Sequence, residues 1–250
     1  MSSLSSNILI NPQDLFDITV SSLTPLGSGS GIVNDSATLG ALATTGDGRN
    51  FRYVIAGAVA LVPGTLLQAP AEVTANERVA MAAAAAGATQ IVTTGTITVT
   101  ANQYTGGYAM VAVTPGQGYS YQIGQHAAFT SAASTFNLID PVTIALTTAS
   151  TVSFVANPFN AVIINPTTAT SSIVGVAVAA TPISYYGWAQ TAGPACVLAQ
   201  GTVVVGEQVA ASSTTAGAVV ATSGVLASVG YAMQGITATQ YGPIMLNVLS

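Results

Sequence analysis

Charge is the scarcest commodity in this chain. Of its 250 residues only 4% are charged: three arginines, eight acids and no lysine, with a single histidine besides. An average soluble domain carries roughly 25%. Neutralising a phosphate backbone takes several clustered cations, so nucleic acid is excluded as a partner. Cysteine occurs once, at Cys196, which allows no intrachain disulfide and fits synthesis in a reducing cytoplasm. One Cys and one His also fall short of the four ligands of a structural zinc site. Carboxylate ligands for calcium must lie close together, and the nearest pair, Asp14 and Asp17 in "NPQDLFD", stands alone. No metal and no cofactor are expected.

Long hydrophobic runs are missing too. "YVIAGAVALV" (53–62) and "VAMAAAAAGA" (79–88) extend for ten residues each, while a membrane-spanning helix needs roughly 20. The opening "MSSLSSNILINPQDLF" lacks a basic segment followed by an apolar one and does not read as a secretory signal. No membrane partner is expected. The glycine-rich "GSGSG" (27–31) has neither the lysine nor the following amphipathic helix of a phosphate-binding loop.

Catalytic groups are equally sparse. Nucleophilic catalysis needs a nucleophile, a base and an orienting group within hydrogen-bond reach. His126 is the lone candidate base, with Asp140 or Glu207 to orient it and Cys196 or a serine as nucleophile. The context "GPACVLAQ" offers no cation to stabilise a thiolate. Cys196 is therefore expected to be a buried strand residue, and His126 a turn or strand-end residue. Glu72, Glu77, Asp140 and Glu207 are possible members of a carboxylate pair, but no motif places two together. The chain does not read as an enzyme.

What is present is small and β-branched. Ala, Val, Thr, Ser and Gly dominate, hydrophobic residues make up 50% and aromatics 6%. Such residues suit close-packed sheets with uncharged outer faces. A monomer with so few charges would be poorly soluble, which points to a surface covered by other subunits. From Phe51 onward, short apolar segments such as "GYAMVAVT", "IVGVAVAA", "SYYGWAQ" and "IMLNVL" are separated by Gly, Pro and Asn. Turn signals about every 8–12 residues predict an all-β, antiparallel sandwich or barrel. Residues 1–50, rich in Gly, Ser and Thr, read as an extended N-terminal arm, and 51–250 as the body, divisible near residue 170 into 51–170 and 171–250. One interruption is expected. "APAEVTANERVAMAAAAAGATQ" has Thr74 and Glu77 at capping-box spacing before an alanine run that stops at Gly87, which predicts one short Ala-rich helix.

Two stretches stand out as contact candidates. "YYGWAQTAGPACVLAQGTVVVGEQV" (185–209) contains Tyr185, Tyr186 and the single tryptophan, Trp188. Large aromatics anchor cores and interfaces. Strand alternation sends Tyr186 and Trp188 to one face and Tyr185 to the other, and Pro194 is expected to end the strand. "GDGRNFRY" (46–53) holds Asp47, Arg49 and Arg52 around a tight turn. It reads either as a hairpin with a local ion pair or as a docking point for a partner's carboxylate, which the planar guanidinium matches.

These segments together resemble a family. The aromatic "YYGWAQTAGPA", the small-residue segment that follows and "SVGYAMQG" before the closing "YGPIMLNVL" look like a capsid decoration, or cement, protein of tailed bacteriophages. "FRYVIAGAVALVPGTLLQAP" and "TGGYAMVAVTPGQGYSYQIGQHAAF" are similar to the body of such proteins, so the resemblance covers residues 50–250. It implies a β-tulip-like body, a homo-oligomer, commonly a trimer, and the major capsid protein as partner. It also implies a place on the outer surface of the virion head after synthesis in the host cytoplasm. The small members with a shell-reaching arm are shorter than this chain and lack the alanine segment. Other virion parts (tail, fibre or neck) and a cell-surface adhesive β protein are the alternatives.

Overall fold

The computed structural model describes residues 39–222, 224 and 227–248, with the strand backbones at 8–9 and 20–21; the side chain at 132 is outside that set. The protein is almost entirely β, with antiparallel, curled sheets. The chain divides into two compact units: Met1–Pro70 with Pro158–Ser250, and Ala71–Asn157 between them. The second unit is thus inserted into the first, and residue 170 falls inside the first. Of the expected arm, 1–7, 10–19 and 22–38 lie outside the described residues. Leu42–Thr44 already belongs to the sheet, in a hairpin with Asn50–Ile55.

The first unit is organised by one long strand, Tyr185–Leu198. Its first half pairs with Asn50–Ile55, and its second half pairs with Tyr241–Asn247. Beyond Tyr241–Asn247 the sheet continues through Ser228–Ala232 and Gln208–Ala211 to Val219–Ala221. A second branch leaves the long strand through Ile173–Ala177 to Leu66–Gln68 and Ile163–Ile164. Pro194 was expected to end this strand and does not. The pairing with Asn50–Ile55 stops at Ala192 after a bulge, so among the described residues Pro194 has no paired strand on that side, the position a strand tolerates in a proline. The changeover falls at Gly193, whose φ is +86°. A Cβ there would lie 2.8 Å from Arg49 Cγ, so only glycine allows the two strands this close.

Alternation fills the cores. Ile244 and Leu246 of Tyr241–Asn247 point inward and join Val197, Val203, Val209 and Val219. Val54, Leu67, Val174 and Ala189 form a neighbouring core. Each such Val, Leu or Ile contributes roughly 1.5–3 kcal/mol by leaving water.

In the second unit, Ser120–Gln122, Tyr108–Val111, Thr151–Val155 and Val79–Ala80 form an antiparallel sheet. Thr135–Asn137 pairs with Gln90–Val92. Bridges Met81–Thr93 and Ile123–Leu138 connect these two sheets at both edges, so the strands run round a closed ring that leaves no edge among them unpaired. A separate ribbon joins Ile97–Val99 to Phe129–Ala132. Phe136 and Phe154, 4.2 Å apart between ring centroids, occupy the middle with Tyr104, Tyr121 and Met81.

The expected Ala-rich helix is absent. Thr74–Asn76 makes one 3-10 turn, in which Glu77 N–H bonds to Thr74 O and no side chain caps the start. Arg78 then has φ +49°, and Val79–Ala80 is a strand. The reason is packing. An alanine helix has no bulky face to bury, and helices draw most of their stability from such a face. In the extended form Val79 and Met81 alternate into the core, while Ala80 faces out and its carbonyl accepts from Thr94 and Gly95.

Candidate contact surface

The expected anchors converge in the first unit. Tyr186 and Trp188 do share a face, where Trp188 lies opposite Tyr53 of Asn50–Ile55. The Tyr53 ring stacks on Tyr186 at 5.3 Å with planes 1° apart, and lies 5.1 Å from Trp188 at a tilt of 57°. Phe51 and Ala43 complete this cluster. Trp188 and Tyr53 are buried, and Tyr185 and Tyr186 half-buried. Tyr185 is anchored by its backbone, whose carbonyl accepts from Ala56 N–H and whose N–H donates to Pro182.

Two polar atoms of the cluster are orphaned. Tyr53 Oη and Trp188 Nε1 are buried with no hydrogen-bond partner among the described residues. Burial, with the neighbouring Tyr186 second, pushes the Tyr53 phenol from 10.0 up to about 12.

Arg49 and Arg52 flank the cluster differently. Arg49 Nε donates to Asp47 Oδ2 at 2.8 Å, and its guanidinium lies 5.6 Å from the Phe51 ring. Asp47 accepts from the Thr45 hydroxyl first, and from the Arg49 backbone and side chain as well, which holds its carboxyl below the usual range. The hairpin with a local ion pair is therefore present, and its exposure to solvent keeps the pair's contribution to stability small. Arg52 turns to the opposite side of its strand. There Nη1 donates to Gly40 O at 3.0 Å and the guanidinium rests 5.9 Å from the Phe159 ring.

The groups weighed for catalysis are kept apart or already engaged. His126 is buried in the second unit, where Nε2 accepts from Tyr104 N–H at 3.0 Å and Nδ1 contacts Ala127 O at 2.8 Å. Both ring nitrogens are thus used by backbone. Phe136 and Phe129 flank the ring. Glu72 and Glu77 do meet, on the surface, where the Glu77 carboxylate accepts a hydrogen bond from protonated Glu72 and with its charge raises the Glu72 carboxyl. Glu207 is exposed and caps its turn by accepting from Val204 N–H at 2.7 Å. Among the described residues no three His, Cys, Asp or Glu side chains lie close enough to hold a metal ion. No helix among them is long and apolar enough to cross a membrane.

Cys196 corrects an expectation. It is exposed rather than buried, because alternation sends its neighbour Val197 into the core. Its register partner is Pro243, with Pro194 opposite Met245 and Leu198 opposite Tyr241. Tyr231 lies across from Met245 on the other side. These residues form one outward apolar face without an ionisable carboxylate, amine or guanidinium. Sequence reading missed it, since only the pairing register shows that "CVL", "VGYA" and "YGPIM" are neighbours. The second unit has a smaller counterpart: Tyr108 opposite Val155, with Met110 beside them, all about 40% exposed.

Comparison with protein-family models, curated proteins and solved structures finds no match to this chain.

Proposed function

We propose that this chain is a non-enzymatic virion structural protein, a cement protein that seats on the outer surface of a tailed-phage head. There it would tie neighbouring major capsid protein subunits together as a homo-oligomer, a trimer by resemblance. The observation that carries this reading is the kind of surface the strands present. Both units turn large apolar side chains outward on or beside their sheets, Tyr231, Met233 and Tyr241 in one and Tyr108, Met110 and Val155 in the other. Exposed apolar patches of this kind mark contact sites. Such a protein works by buried area repeated over many lattice positions, where multivalency multiplies modest contacts. The near-absence of charge keeps the desolvation cost of each contact small.

The rigid aromatic cluster of Tyr53, Tyr186 and Trp188 supports the same reading, as the wall that holds the sheet in shape. The test is quantitative mass spectrometry on purified particles. The expected result is several hundred copies, near parity with the major shell protein. A few dozen copies would move the protein to tail, fibre or neck, and absence from particles would leave a surface adhesive as the better account.

A further inference from the structure

We propose that the outward face formed by residues 194–198 of the long strand with Tyr241–Asn247 and Ser228–Ala232 is the docking surface for a second copy of this chain. The inference rests on the contact-protein reading above and deepens it by assigning one face to self-association. The face is continuous across three strands through the pairs Cys196–Pro243, Pro194–Met245 and Tyr231–Met245. It extends toward the turn at Val204–Gly206, since Gly206 N–H bonds to Ala232 O and Met233 N–H to Pro243 O. Val204 and Val205 are 56% and 63% exposed, Tyr231 48%, Met233 42% and Tyr241 49%. Those five open on the order of 500 Å² of side chain, taking ~150–250 Å² for a whole tyrosine. Cys196, Pro194 and the half-buried Pro243 and Met245 add to it. The total approaches the ~800 Å² per partner of a standard interface and stands at the upper end of the ~300–600 Å² that the largest apolar patch of a monomer usually covers.

Charge decides the occupant. The described part of the first unit holds only Asp47, Arg49, Arg52 and Glu207 as charged residues; none is among the register pairs of this face, and Glu207 stands at its edge, where its carboxylate accepts from Val204 N–H. A charged partner would leave its ions unpaired against Tyr231, Pro243 and Met245. A second copy brings the same apolar strand surface, so two chains of net charge −5 can meet across these three strands with Glu207 left at the rim. Two sheets then pack face to face at about 10 Å. The copy is also the one partner present wherever the chain is made, before any shell exists.

The experiment uses the free full-length chain in sedimentation equilibrium and in maleimide labelling of Cys196, its single thiol. The wild type is expected to self-associate at micromolar concentration, with Cys196 labelled at least tenfold more slowly than after dilution to monomer. Tyr231→Arg and Met245→Glu, each on the outward side of its strand, should weaken association at least 100-fold and release the thiol. Tyr231→Ser, which adds no charge, should weaken it less. Met110→Glu on the second unit should leave it unchanged, and circular dichroism reports whether each variant is folded. A wild type that stays monomeric at 100-fold higher concentration, with Cys196 freely labelled, overturns the proposal. So does an oligomer that both charge variants leave intact, or a thiol protected only on particles, which would assign the face to the shell. Copy number on particles is a separate measurement. Self-association without incorporation would sink the virion reading and leave this one standing.

Discussion

Replacing Tyr53 with Phe tests whether the aromatic cluster holds an unpaid polar atom. Tyr53 is 2% exposed, and its hydroxyl has no hydrogen-bond partner among the described residues. Phe keeps the ring, and with it the contacts to Tyr186 and Trp188, each worth ~0.5–1.5 kcal/mol. What it removes is a desolvated donor, and an unsatisfied buried polar group costs roughly 1–3 kcal/mol. Tyr53→Phe should therefore stabilise the protein by about 1 kcal/mol at neutral pH, raising Tm by roughly 2–4 °C for a chain of this length. Trp188 is the single tryptophan and touches Tyr53, so its fluorescence in urea titrations reports this cluster directly. The alkaline limb supplies a second readout. The folded-state pKa of about 12 lies above the ordinary 10.0, so the native state disfavours the phenolate. That contribution to stability is complete below pH 10 and is lost as pH rises from 10 to 12. The difference between wild type and variant isolates Tyr53, and the wild type should fall more steeply. A variant that loses more than about 1 kcal/mol at pH 7 would refute the reasoning, because it would mean that the hydroxyl has a partner. A variant that tracks the wild type through pH 10–12 would refute the burial argument.

Other substitutions test the remaining parts of the structure. Trp188→Ala should cost about 3–5 kcal/mol in urea unfolding, as expected for deleting a buried Trp. Trp188→Phe should cost far less, since the lost indole N–H bonds nothing. His126→Ala should destabilise the second unit by ~1–3 kcal/mol from the orphaned Tyr104 N–H alone, with a cavity beside Phe136 adding to it. Faster hydrogen exchange at the Tyr104 amide would locate that loss. Gly230→Ala would place a Cβ within 2.1 Å of the Met245 carbonyl oxygen, at φ +156°. It should lower stability by at least the ~1–3 kcal/mol of an overpacked core, measured by thermal unfolding.

Local pattern carried some of this structure and pairing register carried the rest. Alternation along "SYYGWAQ" put Tyr186 and Trp188 on one side, and that is where they meet Tyr53. The all-β class was legible for a similar reason, because side-chain direction in a strand follows from the residue before. The alanine segment failed because propensity is a weak local preference, while the core of the second unit takes Val79 and Met81 from an extended chain. Pro194 and Cys196 failed on the same ground. Whether a proline ends a strand depends on which neighbour is present at that residue, and Asn50–Ile55 pairs no further than Ala192. Whether a strand cysteine is buried depends on a one-residue phase that places Val197 inside instead. Composition could announce a surface poor in charge, since that scarcity belongs to the whole chain at once. The place of contact could not be read, because Cys196, Tyr231 and Met245 are separated by 14–49 positions in sequence and become neighbours only through two antiparallel registers. A shift of one residue in either register would turn Tyr231 or Cys196 into the core and dissolve the face. The proposed contact surface is therefore a property of strand pairing, and substitutions that alter register at Gly193 or Gly230 should disturb it without touching any residue on it.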